Sequence, residues 1–400
     1  MSAVIVEAVR SPLGRGRMAK GERPGGSLSE LHPVDLLAQV LRGLVDRSGI
    51  DPDLVEDVII GCVSQAAEQA FTPGRLAWLG AGLPDCVPGV TIDRRCGSGQ
   101  QAIEFGAHGI IAGAYGAVVA GGVESMSRVP MGSARLDADV FGAGVAERYA
   151  PGLIGQGVAA ELVAARYGIS REEMDEYAAR SHARAAAAAA VMAREIVPVT
   201  APGADGEARA VASDETIRPG TTVEALAALR PSFTDAAALG RHPEITWSVT
   251  AGNSSQITDG AAALLLMSEE LAGRLGLRPR ARIVATAVCG SDPVMMLTGP
   301  IPATEKVLAR AKLSLEDIDH VEVNEAFASV PLAWQRHFGF DGDRLNPSGG
   351  AIALGHPLGA SGARLTTTML GALEASGGRY GLQTMCENGG MANALIIERL

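Results

Sequence analysis

The sequence predicts an α/β protein built from two similar halves with an irregular excursion between them. Three observations lead there. Short β-branched runs alternate with segments of helical spacing from the first residues onward, which implies a sheet layered by helices. The same alternation resumes after residue 253 and continues to the end. Between the two lies a stretch, residues 198–245, rich in Pro, Gly and charge and without a long period. At about 150 residues per domain, 400 residues allow two or three domains, or one large α/β unit with an insertion.

Composition agrees. Apolar residues are 47% and charged residues 20%, a globular balance that excludes wholesale disorder. A chain of this length buries most of its apolar surface without metal or disulfide staples. Aromatics are only 4% against 50 glycines, which favours tight α/β packing and sites built from backbone. The net charge of −11 argues against nucleic acid as the main partner, because a phosphate backbone needs a basic field. A small phosphorylated ligand held by a few arginines remains open. The first residues lack a secretory pattern, and the longest apolar stretch, residues 109–123, is short of the roughly 18 needed to span a membrane. The 5 cysteines are odd in number and widely spaced, with no paired metal-ligand motif, so no metal site is expected. A reducing, cytoplasmic compartment follows, in which a cysteine can act as a nucleophile.

In order along the chain, residues 3–9 read as a buried strand and 34–48 as an amphipathic helix. Strands are expected at 58–60, 90–93 and 117–120, with a small-residue helix at 99–112. Ser170 followed by Glu173 is a capping-box signature, and residues 171–193, with a run of alanines, form a helix. A strand at 261–267 reopens the α/β pattern. Strands at 280–287, 320–323 and 394–398 then alternate with helices at 301–311, 326–337 and 360–374.

The sharpest chemical feature is Arg95-Cys96-Gly97-Ser98-Gly99-Gln100-Gln101, where a strand ends, a glycine turn follows and a helix begins. A thiol there sees the positive end of the helix dipole, and Arg94 or Arg95 could add to it, both favouring the thiolate that attacks in covalent catalysis. The plain alternative is a small cysteine that only packs. A dinucleotide-binding turn competes, since Gly97–Ala102 matches G-x-G-x-x-A, but its acidic partner Glu124 comes late. His356 sits in a glycine-dense loop and precedes Pro357, which keeps it out of a helix. Cys386 follows an apolar strand at 381–385 and precedes a glycine turn, a source of free backbone donors for an oxyanion. Asn324 ends a strand; it either caps the next helix or holds a water or an oxyanion. Two thiols, one His and one Asn suit covalent acyl transfer, and no G-x-S-x-G serine elbow is present.

Together these segments resemble the thiolase family, the acetyl-CoA acyltransferases. The matching blocks are Cys96-Gly97-Ser98-Gly99, Thr250-Ala251-Gly252-Asn253 with Asp259-Gly260-Ala261, Asn324-Glu325-Ala326-Phe327, Gly355-His356-Pro357, and Cys386 near the end. The likeness covers nearly the whole chain, and the dinucleotide reading gives way to it. It implies the thiolase fold: two α-β-α layered halves, at 1–126 plus 250–274 and at 275–400, with an inserted loop domain at 127–249 for coenzyme A and oligomer contacts. It implies thiolytic cleavage of a 3-ketoacyl-CoA through an acyl-enzyme on Cys96, with an acetyl-CoA C-acetyltransferase as the alternative within the family. A thiolase-like scaffold without catalysis is the reading from another class, and retention of all four reactive residues weighs against it. Cys386 would be the acid/base, and His356 would activate Cys96 and then the incoming thiol. His356 and an Asn324-held water would line one oxyanion hole, and the backbone N–H groups of Cys96 and Asn388 the other. Arg218, Ser255 and Phe327 would contact substrate or coenzyme A. No tightly bound cofactor is expected, coenzyme A being a substrate, and a homodimer or homotetramer is implied, with no nucleic acid or membrane partner.

This sequence departs from the family pattern in three places. Asn388 stands where glycine is usual, and is expected to hold a strained or left-handed turn with its side chain directed away from Cys96. Asn253-Ser254-Ser255-Gln256 looks more like degradative 3-ketoacyl-CoA thiolases than acetoacetyl-CoA-forming ones. Residues 154–157 lack the His-Met pair of short-chain biosynthetic members.

Overall fold

The structure is a computed structural model that describes residues 2–203 and 206–400. In chain order the strands are β1 (Ala3–Arg10), β2 (Gly14–Arg15), β3 (Val58–Gly61), β4 (Gly89–Ile92), β5 (Ala117–Ser125), β6 (Val199–Pro202), β7 (Ala208–Val211), β8 (Thr258–Ser268), β9 (Ala281–Gly290), β10 (His320–Val323), β11 (Tyr380–Glu387) and β12 (Met391–Arg399). The helices are α1 (Pro33–Ser48), α2 (Pro73–Gly80), α3 (Ser98–Ile111), α4 (Gly142–Arg148), α5 (Gln156–Tyr167), α6 (Arg171–Met192), α7 (Val223–Ala227), α8 (Ala236–Arg241), α9 (Glu269–Leu275), α10 (Pro300–Ala311), α11 (Ser329–Phe338), α12 (Ala351–Leu354) and α13 (Ser361–Ser376).

Ten strands join one sheet in the order β10-β11-β12-β9-β1-β8-β5-β3-β4, with β2 alongside β8. The first half supplies β1 to β5 and β8; the second supplies β9 to β12. They meet where β1 pairs antiparallel with β9, Val4 opposite Arg282 and Ile5 opposite Ala281. The central strands are buried on both faces, which is why they read as unbroken apolar runs. On β8, Ala261, Ala263, Leu265 and Met267 face the cluster under α1, while Ala262, Leu264 and Leu266 face the cluster under α3 and α13. The strand period of two makes that division. Helices α3 and α13 pack against each other, and their cluster takes Ala3, Ile5 and Val118 from one half and Ile283, Leu395 and Ile397 from the other. They are the layer shared by the two halves, packed against strands of both. Cys96 lies just before α3 and His356 just before α13, so this layer brings their two segments together.

The capping box of α6 is present in full, the Ser170 side chain accepting from the Glu173 amide and the Glu173 carboxylate accepting from the Ser170 amide. The expected excursion contains the β6–β7 hairpin and the short helices α7 and α8. The helix expected from residue 326 starts only at Ser329, so Asn324 is not its cap. Cys386 lies inside β11 opposite Ala392, rather than beyond the strand. No described helix is long and apolar enough to cross a membrane.

Candidate active site

The turn between β4 and α3 is clamped by its own short-range bonds. The Arg95 amide donates to Asp93 Oδ1 at 2.8 Å, the Arg94 amide to Ser98 Oγ at 2.8 Å, and Ser98 Oγ to the Arg95 carbonyl at 2.6 Å. Arg95 is forced to φ +50, the left-handed region that non-glycine residues avoid. This bend sets Cys96 at the entrance of α3. The thiol is nonetheless buried, packed with Met126, Leu358, Leu365 and Met385. Burial pushes it up to about 12; Glu387 adds to the rise, while the Cys96 amide and the Gln156 side chain oppose it. The expected thiolate at rest is therefore corrected: desolvation outweighs the helix start. Arg95 turns instead to Asp93, at 3.4 Å.

Cys386 is fully buried within electrostatic reach of Cys96. Burial first, then the Cys96 sulfur and Glu387, hold its thiol well above the usual range. Both sulfurs thus rest as protonated thiols.

The imidazole of His356 is buried, and burial followed by the charge of Arg364 pulls it down to about 3. Its tautomer follows from its partner. Ser361 Oγ donates to the Pro357 carbonyl at 2.9 Å and so accepts from His356 Nδ1 at 2.5 Å. Nδ1 carries the proton, so Nε2 presents its lone pair and is the acceptor of the ring. Asn324 Nδ2 lies 3.4 Å from that Nε2, and Asn324 Oδ1 is buried without a protein partner. The His356 amide donates to the Gln256 carbonyl and to Thr258 Oγ1, both at 3.1 Å.

What brings the His loop to the thiol helix is a backbone-to-backbone junction. A Cβ placed on Gly99 would stand 2.7 Å from the Gly359 carbonyl oxygen, and one on Gly122 only 2.0 Å from it. Only glycine allows this approach. Glu124, fully buried, locks the same junction: its carboxylate accepts from the amides of Val63 at 2.9 Å, Ser64 at 3.0 Å and Gly359 at 2.9 Å. Glu325 does the corresponding work behind Asn324, accepting from Tyr177 Oη at 3.0 Å, Ser181 Oγ at 2.8 Å, Asn346 Nδ2 at 3.0 Å and the Ile352 amide at 3.0 Å. Neither carboxylate was foreseen in these roles, since their partners are distant in sequence. In the sequence Glu124 stands out only as the late acidic partner of the dinucleotide-type turn.

Asn388 differs from expectation. It does not take a left-handed conformation: positive φ falls on Gly389, at 93°, and Gly390, at 72°, and Asn388 is exposed. Two glycines after it supply the sharp reversal, so the asparagine itself is unstrained.

Among the remaining predicted contacts, Ser255 is half-buried and Phe327 buried. Arg218 is exposed, its guanidinium donates to Gln256 Oε1 at 2.9 Å, and its amide donates to His182 Nδ1 at 3.1 Å. Partial desolvation of its guanidinium, and then the charges of Arg15 and Arg17, pull its pKa down, so three guanidinium groups share this region. Gln256 also donates to the carbonyls of Thr216, Ile352 and Ala353, tying the Arg218 segment to the His356 loop. The Ser255 amide donates to the Ala326 carbonyl at 3.0 Å, and Phe327 meets Phe233 edge to face at 5.7 Å. A separate cavity of about 310 Å³, lined by Arg278, Arg280, Glu374, Arg399 and Leu400, lies away from the thiols. Its Arg280 is already paired with Glu7 and Glu374.

Comparison with known proteins adds a second line. The family model for the thiolase N-terminal domain matches residues 3–270, and that for the thiolase C-terminal domain matches residues 277–399. The chain is 48% identical to a steroid 3-ketoacyl-CoA thiolase of Mycobacterium tuberculosis, covering 100% of this chain and 94% of the relative. It is 43% identical to a 3-ketoacyl-CoA thiolase of Vibrio vulnificus, covering 100% and 99%. Among solved structures, an acetyl-CoA acetyltransferase of Bacillus anthracis superposes with a TM-score of 0.87 at 39% identity, covering 100% of this chain and 99% of that one.

Proposed function

Since the chain belongs to the thiolase family, we propose that it cleaves a 3-ketoacyl-CoA with coenzyme A, giving acetyl-CoA and a shortened acyl-CoA. The observation that carries the reading is the docking of the loop of a neutral His356, its Nε2 lone pair facing Asn324, onto the start of α3, just after Cys96. Names of relatives at 43–48% identity support the 3-ketoacyl substrate class over acetoacetyl-CoA alone.

The chemistry follows from the resting protonation states. His356 Nε2 takes the Cys96 proton as the sulfur attacks the 3-keto carbon, and two backbone N–H groups, of Cys96 and Asn388, receive the developing oxyanion. The bond between C2 and C3 then breaks. The acetyl-CoA carbanion, its thioester oxygen facing His356 and an Asn324-held water, takes the Cys386 thiol proton. The proton held on His356 restores the Cys386 thiol. Coenzyme A next gives its thiol proton to His356 and attacks the acyl-enzyme, and Cys96 leaves and is reprotonated. A thiol kept protonated by burial is suited to deliver a proton to a carbanion, as Cys386 must.

Coenzyme A would lie along the loop domain, residues 127–249, against Arg218, Ser255 and Phe327, its phosphates meeting the positive charge of Arg15, Arg17 and Arg218. The two thiolase halves would comprise 1–126 plus 250–274 and 275–400. A homodimer or homotetramer fits the free edge of β4, the last strand of the sheet, with Val90 43% and nearby Phe71 91% exposed. A cytoplasmic setting fits the free cysteines. The test is a CoA-dependent cleavage assay over a ladder of 3-ketoacyl-CoAs. Release of acetyl-CoA from at least one chain length is expected, and no cleavage of any of them contradicts the reading.

A further inference from the structure

Between Cys386 and the Asn388 turn stands a glutamate that the chemistry above does not use. Glu387 is the last residue of β11 and is fully buried. Its Oε1 rests against the residue after the nucleophile: a Cβ on Gly97 would stand 1.9 Å from Glu387 Oε1 and 2.8 Å from Asn393 Nδ2. Asn393 Nδ2 also donates to the Gly97 carbonyl at 3.1 Å. Glu387 and Asn393 therefore hold Gly97 from one side, and only glycine fits while Glu387 is there. Neither carboxyl oxygen of Glu387 has a hydrogen-bond partner, and Asn393 Oδ1 has none either.

An ionised carboxylate cannot be left so. A buried charge needs a pairing cation or several donors, and a group with neither takes up a proton instead. Among the described residues no cation pairs with Glu387. Asp93 and Arg94 face Glu387 from the turn before Cys96, and Glu104 faces it from α3; Arg94 attracts its negative form while the two acids repel it. Arg310 acts on Glu104, and Lys306 acts on Cys289, which also feels Glu387. Burial dominates and pushes the Glu387 carboxyl up to about 8. The same side chain, when charged, opposes ionisation of both Cys96 and Cys386.

We propose that Glu387 is a positioning residue for acyl transfer: as a neutral carboxylic acid it wedges the Cys96–Gly97 turn against Asn393 and, by staying uncharged, spares the negative charge that Cys96 must develop. A neutral carboxyl carries one O–H donor, and Asn393 Oδ1, on the same side of Gly97, is an acceptor that lacks one. The role rests on Cys96 being the nucleophile. It also gives the site an upper pH limit of its own, since ionisation of Glu387 places a carboxylate beside the two thiols.

The test is the pH profile of Cys96 alkylation by iodoacetamide, mapped by mass spectrometry, in the wild type and in Glu387→Gln. At pH 6.5 the two rates should agree within about twofold. Above pH 8 the wild-type rate should climb less steeply, leaving the Gln variant about tenfold faster at pH 9.5, the size of one unit in the thiol pKa. Superimposed profiles from pH 6 to 10 would overturn the proposal. A second pair of variants reads the geometry if Glu387→Gln does not fold. Gly97→Ala should slow alkylation, and adding Glu387→Ala should restore at least tenfold of the loss, whereas additive losses would overturn the wedge. Trapping of a substrate acyl group is scored separately. Its absence from wild-type Cys96 defeats the nucleophile assignment, and its presence with superimposed profiles defeats only the role of Glu387.

Discussion

Replacing Gly99 by alanine perturbs the junction between the His356 loop and the nucleophile helix without touching a reacting atom. The added Cβ would stand 2.7 Å from the Gly359 carbonyl oxygen and 3.0 Å from the Ala363 amide nitrogen, so one backbone must retreat by about 0.7 Å to regain ordinary contact. Gly359 is three residues beyond His356 and is tied to Glu124, which resists the shift. Overpacking of this kind costs about 1–3 kcal/mol. With an unfolding entropy of about 2.1 cal/mol/K per residue, a chain of 400 residues should lose only about 1–4 °C in Tm. Catalysis is far more sensitive, because a misplacement near 1 Å costs about 10²-fold. Steady-state thiolysis at saturating coenzyme A should show kcat reduced about 10- to 10²-fold, KM for coenzyme A little changed, and circular dichroism unaltered. Gly144→Ala, where the added Cβ meets nothing within 4 Å, is the control and should retain full activity. A folded Gly99→Ala protein with kcat within twofold of wild type would refute the claim that this junction sets the distance between base and nucleophile.

Four further outcomes are expected. Cys386→Ala should lower α-proton exchange of acetyl-CoA by about 10²–10⁴-fold while Cys96 can still be acylated; undiminished exchange, followed by NMR in deuterated buffer, would remove Cys386 as the acid/base. Arg218→Ala should raise the Kd for coenzyme A by calorimetry and leave the Cys96 alkylation rate unchanged; equal affinity would disprove the contact. Asn388→Gly should leave kcat within about threefold, because the left-handed positions are already glycines, whereas a gain of about 10²-fold, the worth of an oxyanion donor, would show that Asn388 obstructs the hole. Denaturant unfolding should show stability falling as pH rises. Glu387 is raised from an ordinary 4.5 to about 8, so the folded state holds a proton that the unfolded state gives up. Its contribution is whole below pH 4.5 and shrinks towards pH 8, by about 3 kcal/mol at pH 7, and Glu387→Gln should flatten that slope; equal slopes would contradict the assignment.

Much of the architecture was legible because its signals are local. The apolar runs of β1 and β8 reflect burial on both faces, and the capping box of α6 is complete within four consecutive residues. Helix α5 shows no polar stripe to reveal a period, because half of its 12 residues are Ala or Val and its whole middle, residues 157–164, is buried. Fusion of the two halves through β1 and β9 could not be read, since Val4 and Arg282 are brought together only by the finished fold. The site shows the same division. Cys96, His356, Asn324 and Cys386 stand out by residue type and by the glycines around them. The left-handed Arg95, the tautomer set through Ser361, and the clamping by Glu124 and Glu325 depend on backbone geometry or remote partners. The resting state of Cys96 differs from the sequence expectation for a related reason: a helix start is visible in sequence, but the burial that outweighs it is a property of the whole packed layer.

The central claim is an acyl-enzyme on Cys96. Wild-type protein mixed with a 3-ketoacyl-CoA in the absence of free coenzyme A, quenched in acid and mapped by peptide mass spectrometry, tests it directly. The account predicts the shortened acyl group on the peptide containing Cys96, one acetyl-CoA released per acylated site, and no adduct in Cys96→Ala. An acyl group mapped to Cys386 instead, or acetyl-CoA released with no acylated cysteine, would contradict it.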